Sequence, residues 1–488
     1  MNVDWLSKLP APARRGLYFG LQSLLGSRVY SAWREFQGWE RLGPEQLRDA
    51  VEKRLGRVLN AAVAQSEHYR SLGLKQRAGE NAGEFLRRFP VLTRGEVRER
   101  FTELVIDPLR HEILSAASVS KRRYDWLVVK TGGTTGQPTS VVHDASARDW
   151  GRATRLHAAK MCGMALGTRY FRLWGSEPDL HGQQASLQLR VLNGLLGAVG
   201  INAFRAKEAE LRQQHAAMMA QPDIQHLMTY VDAAAGLALF IKDQNLLRRP
   251  FKTIMACAGS VTPEYRKILE EVFEAEVFDK YGSRECCDMA CECQRHSGLH
   301  VYSPNVFLEI VDEQGAPCPP GETGHLLVTL LNNSSFPMIR YKIGDLAEWA
   351  EPGRCPCGSA WPRLKSLQGR ADDMLTTEDG TLLSSVFVRH FVGVSLNRQI
   401  IREWQLEQVE AKRFVFRYIP IKAEGLSANL NEITSSFRLA LGKNVTIELQ
   451  QVNEVPPAPT GKVRWIINGE HRKRRAPDVS VEGEPIRQ

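Results

Sequence analysis

A chain of 488 residues, 43% hydrophobic and 24% charged, is too long for one small core and has an ordinary globular composition. No apolar run approaches the roughly eighteen residues that cross a bilayer, so no membrane span is expected. The net charge of +9 does not by itself imply nucleic acid: apart from Arg472-Lys473-Arg474-Arg475 the basic residues are dispersed, without the interleaved aromatics of an RNA-binding signature, and no nucleic-acid partner is expected.

The first twenty residues contain neither a continuous apolar segment nor a cleavage signature, so a cytoplasmic location is expected. This stretch could lie amphipathically on a membrane, but packing on its own domain is the simpler reading. Residues 1–115 read as helical: Val51, Leu55, Val58, Leu59 and Ala62 recur at helical spacing within Gln46–Ser66, and Thr93 is placed to cap a helix. Trp126-Leu127-Val128-Val129 reads as a strand that enters Lys130–Thr139, the loop KTGGTTGQPT. Three glycines and three threonines fall within residues 131–136, and such a loop can turn N–H groups and hydroxyls toward an anion. It is not a Walker loop, because Gln137-Pro138-Thr139 follows Gly136 and proline opens a phosphate-capping helix poorly.

From about 124 to 260, short apolar runs (Trp126–Val129, Ile224–Thr229, Thr253–Cys257) alternate with long helical stretches, which predicts βα units and a mainly parallel sheet. Residues 298–350 turn β-like at Val306–Val311, His325–Leu331 and Leu346–Trp349. A final segment has its own pattern at Glu403–Val409, Arg413–Ile419, Leu426–Leu441 and Val445–Gln451. The expected class is α/β. Residues 1–369 form a large body with mainly parallel sheets and a β region, residues 370–470 a small mobile α+β lid, and residues 471–488 a polar, basic, disordered tail.

Further motifs follow the loop in a fixed order. Val277–Glu285 (VFDKYGSRE) offers an aromatic, a glycine and a carboxylate after a strand, and Tyr341–Asp345 (YKIGD) offers a second carboxylate on a turn. Gly369–Met374 (GRADDM) and Pro459–Arg464 (PTGKVR) come next. Together with TGGTTGQPT, this set resembles the adenylate-forming ligase superfamily, and within it the phenylacetate–CoA ligase-like branch that includes CapK-type proteins. The helical N-terminal region and the run AQSEHYR at Ala64–Arg70 are similar to that branch, and the resemblance covers roughly 45–470.

The resemblance implies an ATP-dependent enzyme that activates a carboxylic acid, aromatic acids included, as acyl-adenylate. The acyl group then passes to CoA or, alternatively, to an amine. Such a reaction rests on positioning and charge neutralisation. Thr131, Gly132, Gly133, Thr134, Thr135 and Gly136 would hold the β- and γ-phosphates of ATP, with Thr134 among the catalytic groups, and Glu285 would recruit Mg²⁺. Tyr281 and Gly282 would face adenine, with Ala258-Gly259 as the opposite wall. Asp345 would accept the ribose hydroxyls, and Arg370 would donate near the same sugar. Lys462 would bridge the substrate carboxylate and the α-phosphate, and Asp372 would be the hinge of the lid. Trp174-Gly175-Ser176 and Thr229-Tyr230 are candidates for the acyl pocket. Thr139 stands where the superfamily often has lysine, so one cation is missing from the cradle. A homodimer is compatible with the likeness and is not specified by the sequence.

Nine cysteines in a chain without an export signal point to reduced thiols, some of them on a metal. Cys293, His300, Cys355 and Cys357 suit a tetrahedral, structural Zn²⁺ of the kind some members of this branch carry, with His296 or Cys291 as substitutes. Cys286 and Cys287 read as buried structural thiols.

Overall fold

The computed structural model describes residues 4–115, 126–130, 139–174, 187–203, 208–259, 261–370, 375–378, 382–383, 400–455 and 466–468. They fall into two compact units, the first reaching Gln368 and the second beginning at Gly369.

The N-terminal part of the first unit is helical, as its apolar spacing predicts. The helix Pro44–Gln65 starts with proline in its first turn and buries Leu47, Leu55, Leu59 and Ala62 along one face. Thr93 caps the helix Arg94–Glu99 through a reciprocal box: its hydroxyl accepts from the Glu96 N–H at 3.2 Å, and the Glu96 carboxylate accepts from the Thr93 N–H at 2.7 Å. The helix Val29–Trp39 inserts Phe36 into a nest of rings, with Trp150, His157, Tyr302 and Trp361 at centroid distances of 4.6 to 6.0 Å.

Strands β1 (Trp126–Lys130) and β2 (Ser140–Asp144) are antiparallel partners, with Lys130 opposite Ser140. The βα pattern expected from residue 124 therefore does not hold at its first strand. The glycine-threonine segment is closed by a returning strand, which agrees with the poor helix opening that Pro138 provides.

The parallel strands are β3 (Tyr170–Trp174), β4 (Ala198–Asn202), β5 (His226–Tyr230), β6 (Thr253–Cys257) and β7 (Glu276–Ser283). The first two are short and interrupted by Arg172 and Gly200, so they do not stand out in the sequence. After them come β8 (Cys287–Glu292), β9 (Leu299–Val301), β10 (Val306–Val311), β11 (Thr323–Leu330), β12 (Tyr341–Trp349) and β13 (Arg363–Arg370). All eleven join one sheet in the order β10-β11-β12-β13-β9-β8-β7-β6-β5-β3-β4. The β region thus continues the parallel sheet through β7, which pairs parallel with β6 and antiparallel with β8.

Two local readings change. Tyr341–Asp345 belongs to β12, where pairing with β11 jumps from His325–Leu346 to Leu327–Lys342 and leaves residues 343–345 as a bulge, with Gly344 at φ +98. Tyr281 and Gly282 lie inside β7, not after it.

The second unit has the α+β pattern its sequence predicts. β14 (Leu375–Thr376) pairs with β15 (Leu382–Leu383), and β16 (Ile401–Glu410), β17 (Arg413–Pro420), β18 (Thr446–Gln451) and β19 (Ile466–Asn468) form a sheet in the order β18-β17-β16-β19. The helix Leu426–Leu441 supplies Ile433 and Phe437 to its core beside Trp404, Leu406 and Phe416.

Because Phe36 is fully buried among four rings, Phe36→Ala is expected to lower unfolding stability by about 3–5 kcal/mol. Urea melts of parent and variant measure the difference, and a loss under about 1 kcal/mol would show that the ring nest can collapse around the gap.

Candidate functional site

The carboxyl ends of the parallel strands share one rim. Leu173 pairs with Thr229, Tyr230 with Cys257 and Cys257 with Lys280. Trp174, Tyr230, Ala258 and Tyr281 therefore stand at the ends of successive neighbours. The strand order reverses between β3 and β5, and open α/β sheets bind ligands outside the carboxyl ends at such a switch point. Trp174 and Tyr230 meet there with ring centroids 4.1 Å apart. Ala258 adopts a left-handed backbone at φ +59, turning the chain sharply as it leaves β6.

Beyond Lys280, β7 exchanges its parallel partner for an antiparallel one. Lys280 forms a buried ion pair with Asp288 of β8. The Tyr281 hydroxyl donates to Asp345 Oδ2 at 2.5 Å, so an aromatic and a carboxylate far apart in the chain share one hydrogen bond. Gly282 is held against β8: a Cβ there would lie 2.7 Å from the Cys287 carbonyl oxygen and 3.0 Å from Asp288 Cα. Glu285, just past the strand, is buried, and its backbone carbonyl lies 2.9 Å from His143 Nε2 on β2.

The sequence reading missed Arg94. Its Nη2 lies 3.8 Å from Glu285 Oε1 and donates to the Ile343 carbonyl at 3.0 Å, while its Nε donates to the Tyr341 hydroxyl at 3.4 Å. The signal lies in the capping box, which fixes Arg94 at the first helical position. What places it at the site is pairing along β12: the Leu92 N–H donates to the Arg340 carbonyl at 3.1 Å, and the Lys342 N–H to the Leu92 carbonyl at 2.9 Å. Burial opposes the Arg94 charge, but Tyr341, Glu285 and Asp345 together outweigh it and hold the guanidinium above its ordinary value. Burial, then the Glu285 charge, pushes the Tyr341 phenol up to about 12, so it stays a neutral hydroxyl. Burial also lowers His143, which favours a neutral imidazole beside the Glu285 carbonyl.

The other nominated groups divide. Thr131, Gly132, Gly133, Thr134, Thr135, Gly136, Gly175, Ser176, Asp372 and Lys462 lie outside the described residues, as does the tail. Arg370 ends β13, and its side chain is likewise outside them.

Cys293, His300, Cys355 and Cys357 converge, with one ligand atom of each within 4.8 Å of all the others. Cys293 Sγ to Cys355 Sγ is 3.8 Å, and Cys357 Sγ to His300 Nε2 is 3.6 Å. A tetrahedron of thiolates about 2.3 Å from a zinc ion has edges of roughly 3.8 Å, so the donor set fits that ion. Cys293 follows β8, His300 sits on β9, and the two remaining cysteines lie between β12 and β13. Burial lowers His300 to about 4, leaving the imidazole neutral as a ligand must be. The proposed substitutes are engaged elsewhere: His296 contacts Glu276 at 3.1 Å and Glu292 at 3.3 Å, and Cys291 Sγ faces Cys162 Sγ at 3.9 Å. Burial pushes the thiol of Cys286 well up and that of Cys287 up to about 11, consistent with unreactive packing groups.

With this geometry in view, comparison with known proteins is specific. A solved 2-hydroxyisobutyryl-CoA ligase, in its postadenylation state with R3-HIB-AMP, superposes with a TM-score of 0.64 over 89% of this chain and 92% of that one, at 19% identity. The fold is that of the adenylate-forming ligases. The CapK C-terminal domain family matches residues 375–469. The phenylacetate-coenzyme A ligase of Thermus thermophilus is 24% identical over 88% of this chain and 98% of its own length. Protein CapK of Staphylococcus aureus is 22% identical over 78% and 80%. The family match over residues 375–469 and these two relatives support the phenylacetate–CoA ligase-like and CapK branch of the adenylate-forming ligases.

A methyl group at Gly282 has no room beside the Cys287 carbonyl. Gly282→Ala is therefore expected to cost about 1–3 kcal/mol and to displace Tyr281 from Asp345. A variant that melts with the parent and keeps full adenylate formation would show that β7 has slack at this point.

Proposed function

We propose that this protein joins a carboxylic acid to ATP as an acyl-adenylate, releasing pyrophosphate, and then transfers the acyl group to the thiol of CoA. The observation that carries the reading is the pairing of Tyr281 with Asp345 beside Arg94 and Glu285, at the carboxyl rim of a sheet with the adenylate-forming fold. The Thermus relative is a CoA ligase by name, which supports CoA as acceptor. The contact between Trp174 and Tyr230 at the switch point supports a pocket for an acid with a flat or apolar body, aromatic acids among them.

In this reading Tyr281 packs against adenine while its hydroxyl fixes the Asp345 carboxylate, whose other oxygen accepts from the ribose. Glu285 offers Mg²⁺ a carboxylate, and the metal, when bound with ATP, neutralises phosphate charge. Arg94, held protonated beside Glu285, provides positive charge in a site where Thr139 replaces the usual lysine. Thr131 to Gly136 cradle the terminal phosphates, with Thr134 acting on the leaving pyrophosphate. Lys462 steadies the charge growing between the acid and the α-phosphate, Arg370 assists at the ribose, and Asp372 serves as hinge when residues 370–470 move between half-reactions. Cys293, His300, Cys355 and Cys357 hold a structural zinc that fastens the connection after β8 to the loop between β12 and β13.

Acid-dependent release of pyrophosphate from MgATP, over a panel of aryl and aliphatic acids, tests the first step. Release that requires one acid and drops by about two orders of magnitude or more in Lys462→Ala is the expected result. Silence across the panel with ATP still bound would remove the adenylation reading. Added CoA should yield a thioester, and turnover only with an added amine would replace CoA by an amide-forming second step. Metal analysis should find about one zinc ion per chain, lost in Cys355→Ser with a fall in Tm of several degrees. Protein purified without zinc and with an unchanged Tm would reject that part.

A further inference from the structure

The helix Ala11–Leu24 is turned partly inside out. Ala13, Leu17, Gly20 and Leu24 recur at i, i+4, i+7 and i+11, so they form one narrow stripe along the helix. All four are exposed, Leu17 by 50% and Leu24 by 87%. On the same helix Arg14 and Gln22 are buried, at 4% and 3%, and the Arg14 guanidinium donates to the Ser7 carbonyl of the preceding turn. The inward side already has its apolar partners, since Tyr18 and Phe19 pack with Leu6, Val29, Leu156 and Leu195. The outward leucines therefore gain nothing from the fold and carry an unmet cost in water. Trp5 and Tyr30, on the segments flanking the helix, are also largely exposed, at 58% and 46%.

The segments around this stripe are mostly basic. Between Met1 and Arg34 the chain carries Lys8, Arg14, Arg15, Arg28 and Arg34 against Asp4 alone. Lys8, Arg15, Arg28 and Arg34 are exposed and make no ion pair among the described residues. An apolar stripe with aromatics at its ends and unpaired cations around it matches an anionic lipid surface, where leucines enter the acyl boundary, Trp and Tyr sit at headgroup level, and cations meet the phosphates. It matches a second copy of the chain poorly, because a twofold contact sets the same patch against itself and brings like charges together without an acid to relieve them.

We propose that the outward face of the helix Ala11–Leu24 docks the protein peripherally on an anionic bilayer surface, with Leu17 and Leu24 as the inserted groups and Lys8, Arg28 and Arg34, on the flanking segments, as the headgroup contacts. The contact is a docking, not a span: among the described residues no helix is long and apolar enough to cross a membrane.

The test is co-sedimentation of the full chain with phosphatidylcholine vesicles, with and without phosphatidylglycerol, at low and high salt. Binding is expected to require phosphatidylglycerol and to weaken as salt rises. In the doubly substituted variant L17S/L24S it should fall by at least about tenfold, because each leucine withdrawn from an apolar environment is worth about a factor of ten or more. Both leucines are exposed, so the variant should fold, which circular dichroism checks. The basic run Arg472–Arg475 is present in both proteins; if it alone binds lipid, L17S/L24S will bind like the parent, and the proposal fails. No binding to either vesicle overturns it as well. A parent that is dimeric by light scattering, with a monomeric L17S/L24S, would assign the face to self-association and also overturn it.

Discussion

The change of partner along β7 is the constraint on which the rest of the first unit depends. Up to Lys280 the strand lies parallel to β6, and from Lys280 it runs antiparallel to β8. A parallel neighbour needs a long crossover, whereas an antiparallel one needs only a short turn. The chain can therefore double back within a few residues and keep Glu285 next to Tyr281. The buried Lys280–Asp288 pair locks the two strands at the point of exchange, and Gly282 lets their backbones approach more closely than any side chain would allow. Break this register and the aromatic, the carboxylate after it and the first member of the Cys/His cluster, Cys293, all lose their positions together.

The antiparallel half then does what the parallel half cannot. Its strands carry Asp345 back to Tyr281, and the bulge at residues 343–345 breaks the alternation of β12 at the point where Asp345 must face the rim. The same edge of β12 receives Leu92, and the capped helix that follows delivers Arg94 to Glu285. Three segments far apart in the chain thus meet through backbone hydrogen bonds, and the side-chain contacts follow from them. The Cys/His cluster serves the same geometry from the other end of β8, because its members come from the exit of β8, from β9 and from the loop before β13.

Polar burial is consistent across these places. Arg94, Lys280 and Glu285 are each withdrawn from water, and each has an opposite charge or a hydrogen-bond partner at hand. The helix Ala11–Leu24 departs from that logic, burying an arginine and exposing leucines, and this makes the N-terminal segment the part of the first unit whose fold is least explained by the fold alone.

The sequence by itself determined the local elements whose signals are local. The capping box at Thr93, the strands Thr253–Cys257 and Val306–Val311, the α+β character beyond residue 400 and the order of motifs that marks the superfamily are all written in neighbouring residues, because caps, β-branched runs and glycine turns act over a few positions. It also supplied the four members of the Cys/His cluster, since thiols and imidazoles are rare enough to be noticed. The tertiary structure alone decided that His296 and Cys291 stand apart from that cluster, that Tyr281 binds Asp345, that Tyr341–Asp345 is a bulged strand and not a turn, and that β1 returns through β2 rather than into a helix. It alone revealed Arg94, which in the chain is one of many arginines in a helical region. The reason is common to all of these: register, bulges and tertiary pairing are settled by which strand edge is free and which faces must be buried, and a linear reading carries no information about which segments become partners.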